Sequence, residues 1–263
     1  MDDRPPAMQV EDLIKAMEII APTRHAEAWD NVGLLVGDAK ASLSRLLLTI
    51  DLGIAQVQEA KQLGCEAVIA YHPPIFKEVR RLLSDSPVYE AIRAGIAIYS
   101  PHTALDVAQG GTNDSLAEDV LGMRTSEALH LRVDGTGMGK IGVFDPPMPR
   151  VQLLERIKKR LALEHVLVAG PQTGVVRNAA VCAGSCGSLV ELAVSKGVDL
   201  YLTGEMSHHN AFRAASRNMT VVCVLHSHSE RLSLQRLKKR LQHALPNLDV
   251  MVSQTDNDPF DIC

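Results

Sequence analysis

One arrangement recurs along this chain and limits what it can fold into: a short apolar run, about ten residues of helical pattern, a glycine, and another apolar run. Leu46 to Ile50 is the first such run, Gly53 to Leu63 follows as a helix closed by Gly64, and Ala67 to Tyr71 is the next strand, ending at His72-Pro73-Pro74. Short, uninterrupted apolar strands are covered on both faces, and strands joined by a crossover helix run parallel. The unit continues through a helix from Pro87 to Ala94, a cap at Gly95 and the strand Ile96 to Tyr99, which leads into Ser100-Pro101-His102. Before it, Val10, Leu13, Ile14, Met17 and Ile20 lie at helical spacing and predict an amphipathic helix that stops ahead of Pro22.

A helix near Ser115 to Leu121 closes this part. Residues 129–178 are less regular, with candidate strands at Leu129 to Val133, Ile141 to Phe144 and Val166 to Ala169 around a basic helix from Arg150 to Leu161. The first theme then returns. Ala179 to Ala183 reads as a strand, Leu189 to Lys196 as a helix capped by Gly197, and Asp199 to Thr203 as a strand ending at Gly204-Glu205. A helix, the strand Thr220 to Leu225 and a final helix from Ser229 to Ala244 follow. The pattern predicts an α/β fold of two similar lobes, about 1–128 and 179–263, joined by a connecting region of about 129–178. Residues 95–106 lie over 219–230 without a gap, and both stretches end in His-x-x-x-carboxylate directly after a buried strand. A repeat of this kind would set the two halves facing each other across one cleft.

In open α/β sheets, ligands collect at the carboxyl ends of strands. His72, His102 with Asp106, Glu205, and His226 with Glu230 all fall there. Imidazole nitrogen and carboxylate oxygen are ligands for Zn²⁺, Mn²⁺, Fe²⁺, Co²⁺ or Ni²⁺, and a carboxylate can bridge two ions about 4 Å apart. A lone histidine at a strand end is more often structural, and His130, His165 and His243 are read that way. Six such groups at four strand ends instead predict a dinuclear metal site. Asp106 and Glu230 have an alternative role as first-turn acids on helix dipoles, but that role needs no histidine four residues earlier.

Other features are weaker. Trp29 to Asp38 holds a turn signal and the only tryptophan, which either lines a pocket or pins the first helix to the sheet. Gly184-Ser185-Cys186-Gly187-Ser188 meets neither glycine-rich phosphate-binding pattern. The basic stretches Arg156 to Arg160 and Arg236 to Arg240 read as solvated helix faces, and a net charge of −4 argues against nucleic acid or an anionic membrane as partner. No apolar run approaches the ~18 residues of a membrane span. The N-terminus, Met1 to Pro6, has no secretory pattern, so a cytoplasmic protein is expected. Five cysteines without a Cys-x-x-Cys fit that compartment. Cys182 and Cys186 are expected as small buried thiols, with a redox pair as the alternative.

Five segments together resemble the NIF-three (NGG-one-interacting factor three) family, some of whose members are named GTP cyclohydrolase I type 2 homologues. They are Trp29-Asp30-Asn31-Val32-Gly33-Leu34, Tyr71-His72-Pro73-Pro74-Ile75-Phe76, Ser100 to Asp106, Gly204-Glu205-Met206-Ser207-His208-His209, and His226-Ser227-His228-Ser229-Glu230-Arg231. The resemblance implies two similar α/β lobes, a dinuclear divalent-metal site and a homohexamer built from dimers. It implies His72, Asp106, His226 and Glu230 as ligands, the two carboxylates as bridges, with His102 a weaker ligand or the partner of one. Many bacterial members have two consecutive histidines where this chain has Tyr71-His72, which puts the second ion in question.

The expected activity is metal-dependent hydrolysis of a nucleotide, GTP cyclohydrolase-like, with His102, Glu205, His208 and His209 as proton-transfer candidates. The alternative is a non-catalytic metal-binding oligomeric scaffold or regulatory partner.

Overall fold

A computed structural model describes residues 7–260. Met1 to Pro6, read as lacking a secretory pattern, and Cys263 lie outside the described residues. The chain divides into two compact units, one comprising residues up to 108 together with 234–257, the other 109–233 with the residues from 258 onward.

The first unit contains α1 (Val10–Ile20), β1 (Gly33–Val36), β2 (Arg45–Thr49), α2 (Ile54–Leu63), β3 (Ala67–Ala70), α3 (Pro87–Arg93), β4 (Ala97–Ser100) and α4 (His102–Val107). Its sheet has the order β1-β4-β3-β2-β11, where β11 is Asp249–Val252, and all neighbours are parallel except the edge strand β1. Alternation along the buried strands separates two cores. Leu46, Leu48, Ile69 and Tyr99 pack with Leu13, Met17 and Ile20 of α1, whereas Leu47, Val68 and Ile98 pack with Val57 and Val88 of α2 and α3. Each fully buried leucine of this kind contributes roughly 1.5–3 kcal/mol. The sequence pattern missed β1. It pairs antiparallel with β4, and just past its end, at Gly37, a Cβ would stand 2.7 Å from that of Ala97, so no larger residue fits.

The second unit contains α5 (Thr112–Asp114), continued by a π-helical stretch Ser115–Leu121, then β5 (Ser126–Leu131), β6 (Gly137–Pro149), α6 (Arg150–Leu161), β7 (Leu167–Ala169), β8 (Val175–Cys182), α7 (Val190–Ser195), β9 (Leu200–Thr203), α8 (His208–Ser216) and β10 (Thr220–Cys223). The sheet order is β5-β6-β8-β9-β10-β7, with β8, β9 and β10 parallel and the other pairings antiparallel. The irregular stretch between the two βαβ patterns is thus woven into this sheet. β6 runs much further than Ile141 to Phe144, because Pro146 and Pro147 sit where the register with β8 shifts, between Val143 and Met148. Leu116, Val120, Leu153, Val181 and Leu202 fill one face, and Val190, Tyr201, Ala214 and Val221 the other.

Helix α9 (His228–Ala244) begins in the second unit and ends in the first, so residues from its C-terminal half pack with α1. The basic helix α6 buries Leu153 and Ile157. Lys158 pairs with Glu155 at 2.7 Å, and Arg156 donates to the carbonyl of Val120 at 2.8 Å, which fits a solvated, partly structural face. Cys182 and Cys186 correct an expectation: they form a disulfide, not two thiols. The four-residue spacing hid this because only the turn at Gly184, with φ of 66°, folds the chain back enough to join them. Among the described residues no helix is long and apolar enough to cross a membrane.

Candidate metal centre

In the first unit the parallel strands deliver their C-terminal residues to one edge. Beyond the strand ends the backbone continues to pair: Tyr71 N–H donates to Thr49 O at 2.9 Å, His72 N–H to Ile50 O at 3.0 Å, and His102 N–H to Tyr71 O at 3.2 Å. Asp51, His72 and His102 are thereby brought side by side. The Nδ1 of His72 lies 2.9 Å from Oδ1 of Asp51, and the Nδ1 of His102 lies 2.8 Å from Oδ1 of Asp30. An ionised carboxylate can only accept, so each Nδ1 carries a proton, which in the neutral ring leaves the lone pair on Nε2. Such outer carboxylates orient a ligating imidazole and raise its basicity.

Asp30 is fully buried and also accepts from the backbone N–H of Thr103 at 3.1 Å and from its hydroxyl. Burial by itself would push this carboxyl up, but the hydrogen bonds from His102 and Thr103 outweigh it and hold the group below its ordinary value of 3.8. His102 adopts a φ of 29°, a left-handed conformation that a non-glycine residue holds only when its surroundings impose it. Asp106, one turn along α4, is nearly buried and accepts a hydrogen bond from the Tyr71 hydroxyl.

The second unit repeats this chemistry. The Nδ1 of His226, just past β10, lies 2.8 Å from Oε1 of Glu205, just past β9. The Nε2 of His226 faces Oε1 of the buried Glu230 at 3.3 Å, so this imidazole stands between two carboxylates. The preceding residue, Leu225, has a φ of 69°. The chain from Ala183 to Gly184 is fixed against this pair. Ala183 N–H donates to Asn113 Oδ1 at 2.9 Å, Gly184 N–H to Ser229 Oγ at 2.8 Å, and the Ser229 hydroxyl donates to His226 O at 2.6 Å. A Cβ on Gly184 would lie 3.0 Å from Oε1 of Glu230 and 3.2 Å from Nε2 of His226. The space that a side chain would fill is left open beside one imidazole nitrogen and one carboxylate, so the residues present fit a metal ion of the N/O-binding class.

Of the expected ligands, His226 and Glu230 stand together in the second unit. In the first, His72 is oriented by Asp51, while Asp106 is engaged by Tyr71. Glu205, expected as a proton-transfer group, is the carboxylate that orients His226. His208 and His209 are exposed in the first turn of α8 with their rings against each other. Trp29 is 59% exposed and does not pin α1. Sequence reasoning missed Asp51, although it lies directly past a buried strand, and Asp30, which has no strand before it to mark it.

A model of the Duf34/NIF3 (NGG1p interacting factor 3) family matches residues 8–259. The chain belongs to that family. Among its NIF3 relatives, NIF3-like protein 1 of Drosophila melanogaster is 38% identical over 94% of this chain and 87% of its own length. NGG1-interacting factor 3 of Saccharomyces cerevisiae is 34% identical, covering 97% of both chains. A Clostridium acetobutylicum protein named GTP cyclohydrolase 1 type 2 homolog is 29% identical over 97% of this chain and 98% of its own. The NIF3-related protein of Bacillus cereus superposes with a TM-score of 0.91 at 23% identity over 98% of this chain and all of the other, which establishes the α/β fold.

Proposed function

We propose that the protein is a divalent-metal-dependent hydrolase acting on a nucleotide. In the second unit His226 and Glu230 offer an imidazole nitrogen and a carboxylate oxygen to an ion, and in the first unit His72 is the candidate ligand. Asp106 is the candidate bridge to a second ion, a role for which the Tyr71 hydroxyl competes. The observation that carries this reading is His226: its Nδ1 is committed to Glu205, and its Nε2 is turned to a buried carboxylate across the gap kept by Gly184. A bound divalent ion would supply Lewis acidity to an electrophilic carbon or phosphorus. Asp51 and Glu205 hold the imidazoles in the ligating tautomer. Asp30 holds His102 so that its Nε2 accepts a proton from a substrate group. The relatives named GTP cyclohydrolase 1 type 2 homolog point to a guanine nucleotide as the substrate to assay.

The test is metal per chain by inductively coupled plasma mass spectrometry, on untagged protein purified without chelator, beside the variant His226→Ala with Glu230→Ala. Bound metal that the variant loses, together with metal-dependent release of formate from GTP or phosphate from other nucleotides, supports the proposal. Protein that holds no metal after reloading with Zn²⁺, Mn²⁺ or Fe²⁺ overturns it. Metal without turnover favours an interaction protein, the kind of role that the name of the yeast relative denotes.

A further inference from the structure

Within the first unit, two large aromatic rings stand in solvent immediately beside His102. Trp29 is 59% exposed and Phe76 44%, and their ring centroids lie 5.9 Å apart. Trp29 meets the His102 ring in a T-shaped contact at 6.0 Å, and Phe76 does so at 6.5 Å. Apolar rings of this size are normally buried, and folding leaves this pair uncovered.

Two loops hold the rings in place. The side-chain amide of Asn31 donates to the carbonyl of Ile75 at 2.6 Å, tying the Trp29 loop to the Phe76 loop. The Asp30 carboxylate between Trp29 and Asn31 binds both His102 and Thr103, and Thr103 Oγ in turn accepts from Glu27 N–H at 3.0 Å. The loops that carry the rings are therefore tied to each other before any ligand arrives, so part of the ordering cost falls on folding. At their shared edge lies His102, whose Nδ1 proton is given to Asp30 and whose Nε2 is left as an acceptor. Apolar ring faces beside one directed acceptor match a flat ring that carries an N–H on its edge.

We propose that Trp29 and Phe76, whose ring planes are inclined at 56°, form a stacking platform on which a planar heteroaromatic ring lies against one ring and meets the other at an angle, with Nε2 of His102 accepting a hydrogen bond from the ring edge. This rests on the hydrolase reading for the ligand's role as substrate; the binding itself does not. Stacking on an aromatic side chain is worth roughly 1–3 kcal/mol per base, so loss of one ring should weaken binding about 10-fold.

Trp29 is the only tryptophan, so its fluorescence reports the site directly. Full-length, metal-loaded protein is titrated with guanosine monophosphate and, separately, with ribose 5-phosphate, which has the sugar and phosphate but no ring. The expected result is saturable quenching by the nucleotide alone, weakened about 10-fold in Phe76→Leu, with calorimetry on Trp29→Leu showing a similar loss. Equal responses to the two ligands, or unchanged affinity in both variants, overturns the platform. Ring binding by a protein that holds no metal would sink the hydrolase reading and leave the platform standing. Metal-dependent turnover of GTP with an unchanged KM in both variants would do the reverse.

Discussion

The phenolic hydroxyl of Tyr71 donates to Oδ1 of Asp106, joining the end of β3 to the buried acid of α4. Tyr71 stands where the family resemblance expects a second histidine, and its ring is wholly inside the first unit. Its phenol therefore donates to the carboxylate that the family resemblance expects as a ligand. Removing the donor with Tyr71→Phe leaves a nearly buried carboxylate short of one hydrogen bond. The expected cost is about 1–3 kcal/mol of unfolding free energy in urea, and an unchanged denaturation midpoint would show that the bond contributes nothing.

Glu205→Gln and Asp51→Asn should each lower metal affinity, by about 10- to 100-fold, while circular dichroism stays that of the parent. Each change keeps the shape of the orienting group but removes its charge, so the imidazole loses basicity and its fixed tautomer. Competition with a chromophoric chelator reads the affinity.

Gly184→Ala combines two penalties. A φ of 66° costs a side-chain-bearing residue about 1–2 kcal/mol, and the new methyl would press on Oε1 of Glu230 and Nε2 of His226 at 3.0 and 3.2 Å. Lower thermal stability with a disproportionate loss of bound metal is expected. Full metal content in a stable variant would mean that this gap is not where an ion sits.

The cysteines among the described residues divide into two chemical states. Non-reducing peptide mapping should recover Cys182 and Cys186 in one species, lighter by two hydrogens than after reduction. Burial, then the charge of Glu66, pushes the Cys65 thiol up to about 11, and burial, then Glu205, does the same to Cys223. Against an ordinary 9.0, that reduces the thiolate fraction at neutral pH about 100-fold. Both should resist iodoacetamide in the folded protein and react promptly in guanidinium.

Asp30 gives a pH dependence of known sign. Its carboxyl lies below 3.8 when folded and returns to that value when unfolded. The stabilisation is therefore fully present above 3.8 and is lost as pH falls through the lower, folded value. Melting temperatures measured between pH 6 and pH 3 should fall less steeply in Asp30→Asn than in the parent, from a lower starting point.

Local pattern was sufficient for the parallel strands β2 to β4 and β8 to β10, since uninterrupted apolar runs between glycine-capped helices admit few alternatives. It also placed His72, His102, Glu205 and His226 at strand ends, because the extent of a buried apolar run fixes which residues emerge at its carboxyl end. β11 and the long β6 were not legible. The former pairs with β2 from some 200 residues away in sequence, and the latter is broken by prolines that only a register shift accommodates. The partners of the histidines belong to the same class. That Asp30 meets His102, or that Tyr71 occupies Asp106, depends on how loops close over a finished sheet. Sequence by itself determined which chemical groups gather at the strand ends, because strand periodicity is a local property of the backbone. Tertiary structure alone decided which carboxylate each strand-end imidazole meets, because that depends on distances of a few ångströms between residues that the chain holds far apart, and which sulfurs are joined, because that depends on the turn at Gly184.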